Sequence, residues 1–144
     1  HPHVQRGVRP VMHLSTMTET GQFDTQRAEL VLTDFSVQDQ LVAEVLQTVR
    51  AKGYAGLDVD FEYLPGQLAQ AYAAFLGRLQ RLLHAQGLFI WAALAPKTSA
   101  AQRGLLYEGH DYAAVSAAVD AVLLMTYEWE LLAHTLKPLQ IKDF

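Results

Sequence analysis

Apolar and polar positions along this chain follow two periods, one of two residues that is typical of strands and one of about 3.6 that is typical of helices. Four segments predict strands: residues 8–17, 53–65, 88–95 and 120–129. The segments between them predict helices over about residues 24–32, 37–51, 67–86 and 111–118. The order β-α-β-α-β-α-β favours parallel strands joined by helical crossovers, so the predicted fold class is α/β.

Residues with capping chemistry mark the ends of the predicted helices. Asp24 is expected to cap the first helix, and Ser36, with Asp39 three residues on, to cap the second. Gly53 and Gly87 follow the second and third helices, where glycine commonly ends a helix.

A polar loop is predicted over residues 97–109, and its length of about a dozen residues suggests a functional role. Glu108, His110 and Asp111, at the end of this loop, are expected to cap the next helix or to hydrogen-bond within the loop.

The second predicted strand carries three carboxylates at alternate positions. Asp58, Asp60 and Glu62 fall on one face of such a strand, and apolar side chains fall on the other. A strand between two apolar helices is expected to be buried, and buried carboxylates need partners or neutralisation. The pattern therefore favours a functional face over the alternative, an edge strand that shows its acids to solvent.

Carboxylates spaced in this way lie roughly 7 Å apart at each step, and flexible side chains can bring neighbours together. Crowding of like charges favours a shared proton, which suits acid catalysis. Glu62, nearest the carboxyl end, is the natural general acid, while Asp60 can share its proton and Asp58 can hold Asp60. Cleavage of a glycosidic bond needs such a set. The same oxygens could instead hold Mg²⁺ or Ca²⁺.

Aromatic side chains form a second group of candidates. Tyr127 shares a predicted strand face with Met125 and Trp129. Tyr127 could donate its hydroxyl to a substrate carbonyl and Trp129 could stack on a sugar ring, or both could belong to an ordinary core. Trp91 is expected to lie in the core.

Composition narrows the function classes. The chain has 144 residues, 51% hydrophobic and 18% charged, which is typical of one globular domain. A net charge of −4 gives no basic stripe for nucleic acid, and no apolar run is long enough to predict a membrane span. The start lacks the apolar region of a secretory signal, so any targeting segment is expected elsewhere. Cysteine is absent and the six histidines show no ligand spacing, so a thiolate or histidine metal site is not expected.

Several motifs resemble a known family. Residues 57–63 resemble the signature strand of glycoside hydrolase family 18, the chitinase-like (β/α)8 barrels, with the pattern D-x-x-D-x-D-x-E. Residues 125–128 resemble that family's sixth strand. Residues 94–99, 104–112 and 125–129 resemble more narrowly its spore-peptidoglycan branch, the sporulation glycosylases and cortex-lytic N-acetylglucosaminidases. The likeness runs from about residue 8 to residue 129.

The resemblance implies retaining, substrate-assisted hydrolysis, in which the substrate supplies the nucleophile. Glu62 would protonate the leaving oxygen, and the substrate's own N-acetyl oxygen would attack the anomeric carbon. Asp60 would orient and stabilise that acetamido group, Asp58 would support Asp60, and Tyr127 would hold the acetamido group from a later strand.

The resemblance also implies the partner and the location. The substrate would be an N-acetylglucosamine-containing glycan, either spore or cell-wall peptidoglycan or a chitin-like polymer, with Met125 and Trp129 in contact with it. No metal or organic cofactor would be needed. The family suggests a bacterial spore, cell-wall or extracellular location.

Two positions and the length depart from the family pattern. Ala55 stands where the signature has its first aspartate, Glu128 replaces an aspartate, and residues 130–144 no longer resemble the family. A full barrel takes about 250 residues, so the four strands, which resemble strands three to six, predict one incomplete (β/α)8 barrel over residues 1–144. Open sheet edges invite self-association. A truncated fragment that binds glycan without cleaving it, and a metal-dependent hydrolase, are the alternatives.

Overall fold

A computed structural model describes residues 9–94 and 111–124. Four strands form one parallel sheet in chain order: β1 (Val11–Ser15), β2 (Gly56–Asp60), β3 (Phe89–Leu94) and β4 (Ala121–Leu124). The helices are α1 (Thr25–Thr33), α2 (Phe35–Lys52), α3 (Ala69–His84) and α4 (Tyr112–Ala118), with a 3-10 turn at Gly66–Leu68 before α3. The predicted α/β class with four parallel strands is confirmed.

The strands are shorter than the alternation predicted. β2 ends at Asp60, although the alternating pattern continues to Glu62. The last predicted strand is described as far as Leu124, and the predicted loop 97–109 and the tail 130–144 lie outside the described residues. β1 and β4 are the outer strands of the described sheet, so association through its edges stays a prediction.

The apolar core joins the sheet to its helices. Leu57 and Val59 of β2 have no exposed surface and belong to one buried cluster with Leu76, Leu79 and Leu83 of α3. Fully burying one such side chain stabilises the fold by about 2 kcal/mol. The apolar face of β2 is therefore held firmly, which fixes the position of the polar face behind it.

Three of the predicted helix ends are confirmed. The Asp24 carboxylate accepts a hydrogen bond from the Arg27 N–H at 2.9 Å, and Asp111 accepts one from the Ala114 N–H at 3.1 Å. Gly53 ends α2 in the left-handed conformation, with φ of 67°, where a side chain would be strained. None of the helices within the two described ranges has the length and apolarity needed to cross a bilayer.

The start of α2 corrects the prediction. Asp34, rather than Ser36, is the N-cap: its carboxylate accepts hydrogen bonds from the backbone N–H groups of Ser36 at 3.0 Å and Val37 at 3.4 Å. The Ser36 hydroxyl donates to the same oxygen at 2.7 Å. The helix begins earlier because a charged acceptor binds two N–H groups better than a hydroxyl does. Asp39, the predicted capping partner, accepts a hydrogen bond from Arg78 at 2.7 Å instead.

Acidification is expected to weaken α2 through this cap. The Ser36 hydroxyl, with the Val37 N–H, lowers the pKa of Asp34 below its ordinary value of 3.8. Because the folded pKa is the lower one, the stabilisation is fully present above the unfolded pKa and is lost as the pH falls through the folded pKa. Thermal unfolding followed by circular dichroism should show Asp34→Ala less stable than wild type at neutral pH, with the gap closing in acid.

Asp34→Asn is the matched control for this prediction. Its side-chain carbonyl can still accept the cap hydrogen bonds but cannot ionise. It should therefore be more stable than Asp34→Ala at neutral pH, and its melting temperature should vary less with acid than that of wild type. Equal melting temperatures for wild type and Asp34→Ala at neutral pH would contradict the role of this cap.

Candidate active site

The acid strand β2 lies inside the sheet, between β1 and β3. Leu57 and Val59 belong to the apolar core, so alternation places Asp58 and Asp60 on the opposite face. Asp58 is 1% exposed, Asp60 4% and Glu62, just past the strand, 3%. The alternative of a solvated edge strand is therefore wrong, and the predicted burial of the three carboxylates is confirmed.

The carboxylate of Asp58 is held by a histidine from the neighbouring strand. His13 of β1 is its register partner, and the His13 Nδ1 and Asp58 Oδ2 atoms lie 3.0 Å apart. Asp58 Oδ1 is buried, and no hydrogen bond to it is found in the part of the chain that the structure describes. Ser15, the next residue on this face of β1, is the register partner of Asp60.

Sequence reasoning missed His13 because the histidines lack metal-ligand spacing. A different signal was present in the alternation of the first strand. His13 and Ser15 are polar residues at alternate positions of an otherwise apolar segment, Val11–Ser15. Aligning that segment in parallel with the acid strand pairs them with Asp58 and Asp60.

Tyr72 of α3 lies within the electrostatic influence of the carboxylates. Its side chain has no exposed surface, and its ring stacks on Phe61 with the centroids 5.5 Å apart. Burial raises the pKa of Tyr72 far above its ordinary value, and the negative charge of Asp60, followed by those of Asp58 and Glu62, raises it further. The hydroxyl of Tyr72 therefore stays protonated in the folded protein. Nothing in the sequence separated Tyr72 from the apolar positions around it.

Glu62 occupies the turn that follows β2. The next residue, Tyr63, has φ of 60°, a left-handed conformation that is uncommon for a residue with a side chain. The ring of Tyr63 packs against Phe23, from the segment after β1, with 5.4 Å between the centroids. Glu62 thus follows a buried strand and precedes a residue with a constrained backbone conformation. It lies at the carboxyl end of β2, and parallel β/α folds place their ligand sites at this end of their strands.

A cavity of about 310 Å³ opens at the carboxyl end of β1, on the same edge of the sheet. Its size falls at the lower end of the range for small-ligand sites. Hydroxyl and charged groups dominate its walls, which suits a ligand rich in hydroxyl groups. The lining residues are Ser15, Thr16, Met17, Thr18, Glu19, Asp24 and Arg27.

Trp91 corrects a second prediction. It is the register partner of Asp58, so it lies on the polar face of the sheet rather than in the core among the helices. Its side chain is partly buried, and its ring stacks on Phe89 at 6.1 Å between centroids. The prediction was wrong because the apolar character of the segment does not show which of its two faces meets the helices.

Tyr127, Met125 and Trp129 lie outside the described residues, so their predicted roles stay predictions. Within residues 9–94 and 111–124, no three side chains of metal-binding type come together in a group able to hold an ion.

Together, the parallel sheet, its helices and the carboxylates at the strand end define part of a (β/α) barrel with a candidate hydrolase site. The sequence agrees with this class: residues 15–137 match the model for glycosyl hydrolases family 18, and the chain belongs to that family. The predicted family resemblance is confirmed.

Similar proteins include spore enzymes and chitinases. The chain is 43% identical over 119 residues to the cortical fragment-lytic enzyme of Bacillus subtilis (strain 168), covering 83% of this chain and 28% of that protein. The solved structure of the spore cortex-lytic enzyme SleL from Bacillus megaterium QM B1551 superposes with a TM-score of 0.81 at 32% identity, covering 86% of this chain and 29% of SleL. The solved structure of a chitinase from Chromobacterium violaceum ATCC 12472 superposes with a TM-score of 0.79 at 26% identity, covering 88% of this chain and 39% of that chitinase.

The chain thus spans under a third of the length of the curated relative described above. Its fold corresponds to a part of the barrel, as the four predicted strands implied.

Proposed function

We propose that this chain carries the catalytic acids of a glycoside hydrolase that cleaves N-acetylglucosamine-containing glycan of the peptidoglycan type. The observation that supports this most strongly is the burial of Asp58 and Asp60 on the polar face of β2 and of Glu62 just past its end, in a chain of family 18. Keeping carboxylates out of water costs free energy, and a stabilising role alone does not require three of them together.

The positions of the acids support separate roles. Glu62 lies beyond the carboxyl end of β2, further along the chain than the two aspartates. It is therefore the group that meets the glycosidic oxygen. It transfers its proton to that oxygen as the bond from the oxygen to the anomeric carbon breaks. Asp60 lies two residues earlier, as the last residue of β2, where its negative charge can stabilise the positive charge that develops on the substrate.

The nucleophile in this proposal comes from the substrate. The carbonyl oxygen of the N-acetyl group forms a bond to the anomeric carbon, and Asp60 stabilises the resulting positively charged ring. Water then attacks the anomeric carbon from the face that the leaving group left, the bond from that carbon to the N-acetyl oxygen breaks, and Glu62 takes up a proton from the water. The anomeric configuration is retained, Glu62 returns to its acid form, and Tyr127 would hold the acetamido group.

Similarity favours peptidoglycan over chitin as the glycan. Among solved structures, the identity to the spore cortex-lytic enzyme SleL is 32%, whereas the identity to the chitinase is 26%. A spore or cell-wall location is part of the same proposal.

The proposal predicts that hydrolysis requires the N-acetyl groups of the substrate. The chain should cleave an N-acetylated cortex fragment and should not cleave a fragment of the same length whose amino groups are free, because the nucleophile is then missing. Products are measured by mass spectrometry. Cleavage of both substrates at similar rates would contradict substrate assistance, and loss of activity in EDTA would favour the metal-dependent alternative.

One observation supports a second candidate, a fragment that binds glycan without cleaving it. The chain covers 28% of the length of its curated relative, so residues outside it can be needed to complete the cleft. Calorimetric binding of N-acetylated fragments without any product would favour this candidate.

A further inference from the structure

The segments that follow β1 and β2 are linked by an aromatic contact. Phe23, from the segment after β1, packs against Tyr63, from the turn after β2, with the ring centroids 5.4 Å apart. We propose that Phe23 is a positioning residue: its ring holds Tyr63, and Tyr63 fixes the backbone that directs the Glu62 side chain. The part of this inference that concerns catalysis rests on the proposed function, whereas the part that concerns the conformation of Tyr63 does not.

The backbone of Tyr63 has a conformation that its own side chain disfavours. Its φ is 60°, in the left-handed region, where the Cβ atom lies too close to the following carbonyl oxygen. A residue in this conformation costs free energy and persists only where the surrounding structure holds it. Burial holds Tyr63 only in part, because the residue is 40% exposed. The contact with Phe23 therefore contributes to keeping this conformation.

The residues on either side of Glu62 and Tyr63 are firmly buried. Phe61 is 1% exposed and stacks on two aromatic rings of α3, and Leu64 has no exposed surface. The chain therefore passes from one core residue to the next through Glu62 and Tyr63 alone. Within so short a link, the backbone dihedrals of Tyr63 and the direction of the Glu62 side chain cannot change independently. A change in the turn at Tyr63 consequently moves the carboxyl group of Glu62.

Phe23 belongs to a segment whose own position does not depend on the turn after β2. It forms an antiparallel bridge with Met17, and the backbone N–H of Asp24 donates to the carbonyl of Thr16 at 2.8 Å. Asp24 is also the N-cap of α1. The segment that carries Phe23 is therefore tied to the end of β1 on one side and to α1 on the other, and its ring is a fixed support for Tyr63.

A fixed direction for Glu62 matters because proton transfer depends steeply on distance. A general acid has to lie within about 3 Å of the oxygen that it protonates. A misplacement of about 1 Å is enough to lower a rate by about a hundredfold. Phe23 thus acts on the reaction through Tyr63 and needs no contact with the substrate.

Variants of Phe23 test whether its ring holds Tyr63. Phe23→Leu keeps an apolar side chain but has no ring, and Phe23→Tyr keeps the ring. The Cα and Cβ chemical shifts of Tyr63, measured by NMR, report its backbone conformation without any substrate. We expect these shifts to move away from the wild-type values in Phe23→Leu and to stay close to them in Phe23→Tyr.

Kinetics on the N-acetylated fragment give the second measurement. Phe23→Leu should lower kcat by roughly tenfold to a hundredfold while KM changes little, because the acid is misplaced and the binding surface is intact. Phe23→Tyr should retain most of kcat. Phe35→Leu is the matched control: Phe35 is 69% exposed at the start of α2, so the same chemical change there should leave kcat unaltered.

A double-mutant cycle tests whether Phe23 acts through Tyr63. Tyr63→Gly removes the ring and frees the turn, so it should lower kcat as Phe23→Leu does, whereas Tyr63→Phe removes only the hydroxyl and should behave like wild type. Adding Phe23→Leu to Tyr63→Gly should lower kcat no further, since both changes remove the same contact. If Phe23→Leu does not fold, the comparison of Tyr63→Gly with Tyr63→Phe tests this contact.

Failure of this inference and failure of the proposed function give different results. Wild-type protein that cleaves no glycan contradicts the proposed function, and the chemical shifts of Tyr63 still decide whether Phe23 holds the turn. Unchanged shifts in Phe23→Leu would overturn the inference, and so would effects of Phe23→Leu and Tyr63→Gly on kcat that add in full. A higher KM with unchanged kcat in Phe23→Leu would also overturn it, because the ring would then bind substrate instead of positioning the acid.

Discussion

Replacing Glu62 with glutamine is expected to lower the rate of hydrolysis of N-acetylated glycan by about a hundredfold to ten-thousandfold, the usual contribution of a general acid. Glutamine has nearly the same shape as glutamate but cannot give its proton to the leaving oxygen. Because Glu62 lies just beyond β2 at 3% exposure, an isosteric change should leave the fold intact. Initial rates are measured by mass spectrometry and the fold by circular dichroism.

Glu44→Gln is the matched control for this experiment. Glu44 lies on α2 with its side chain exposed, so the same chemical change there should leave the rate unaltered. Unchanged turnover in Glu62→Gln would remove Glu62 from the role of acid. If Glu62→Gln loses turnover because it unfolds, Glu62→Asp is tested in its place. This variant retains a carboxyl group, but its side chain is shorter by one methylene group.

Replacing Gly56 with alanine is expected to destabilise the fold by about 3 kcal/mol, at the upper end of the usual range for overpacking. Gly56 and Phe89 are register partners in β2 and β3, and an ideal Cβ on Gly56 would overlap the backbone carbonyl of Phe89. Backbone atoms in a sheet cannot move aside without breaking the strand pairing. Denaturant unfolding followed by circular dichroism measures the change.

Gly77→Ala provides the control for the added methyl group. Gly77 lies inside α3, and a Cβ there would meet Arg81 at 3.6 Å and Ala118 at 3.9 Å, which are ordinary contacts. Since glycine lowers helix stability, this variant should be as stable as wild type or more stable by up to about 1 kcal/mol. A Gly56→Ala protein with wild-type stability would show that β2 and β3 can separate at this point.

Local signals in the sequence predicted much of the fold. The apolar periods predicted the order of the elements. Asp24 was predicted as a cap, and Asp111 was one of three residues expected to cap or to hydrogen-bond within the loop, because a cap binds N–H groups within three residues of itself. The same local reasoning failed at Asp34, which also ends α1: the choice between Asp34 and Ser36 as the cap depends on where α1 stops.

The candidate site was predicted in part for the same reason. Alternation along one segment was enough to place Asp58 and Asp60 on one face of β2, because a strand determines its own two faces. It could not reveal that His13 holds Asp58, since these residues are 45 positions apart and meet only through the register of β1 and β2. Nor could it place Trp91 beside Asp58 instead of in the core.

The sequence by itself therefore determined the acid strand, the two faces of that strand and the family to which the chain belongs. The strand and its faces depend on residues within a few positions of one another, and the family depends on motifs that can each be read locally along the chain. Only the tertiary structure decided that His13 holds Asp58, how closely β2 and β3 approach at Gly56, and that burial beside the acids raises the pKa of Tyr72. Those properties depend on lateral register and burial, which bring together side chains that are distant in the chain.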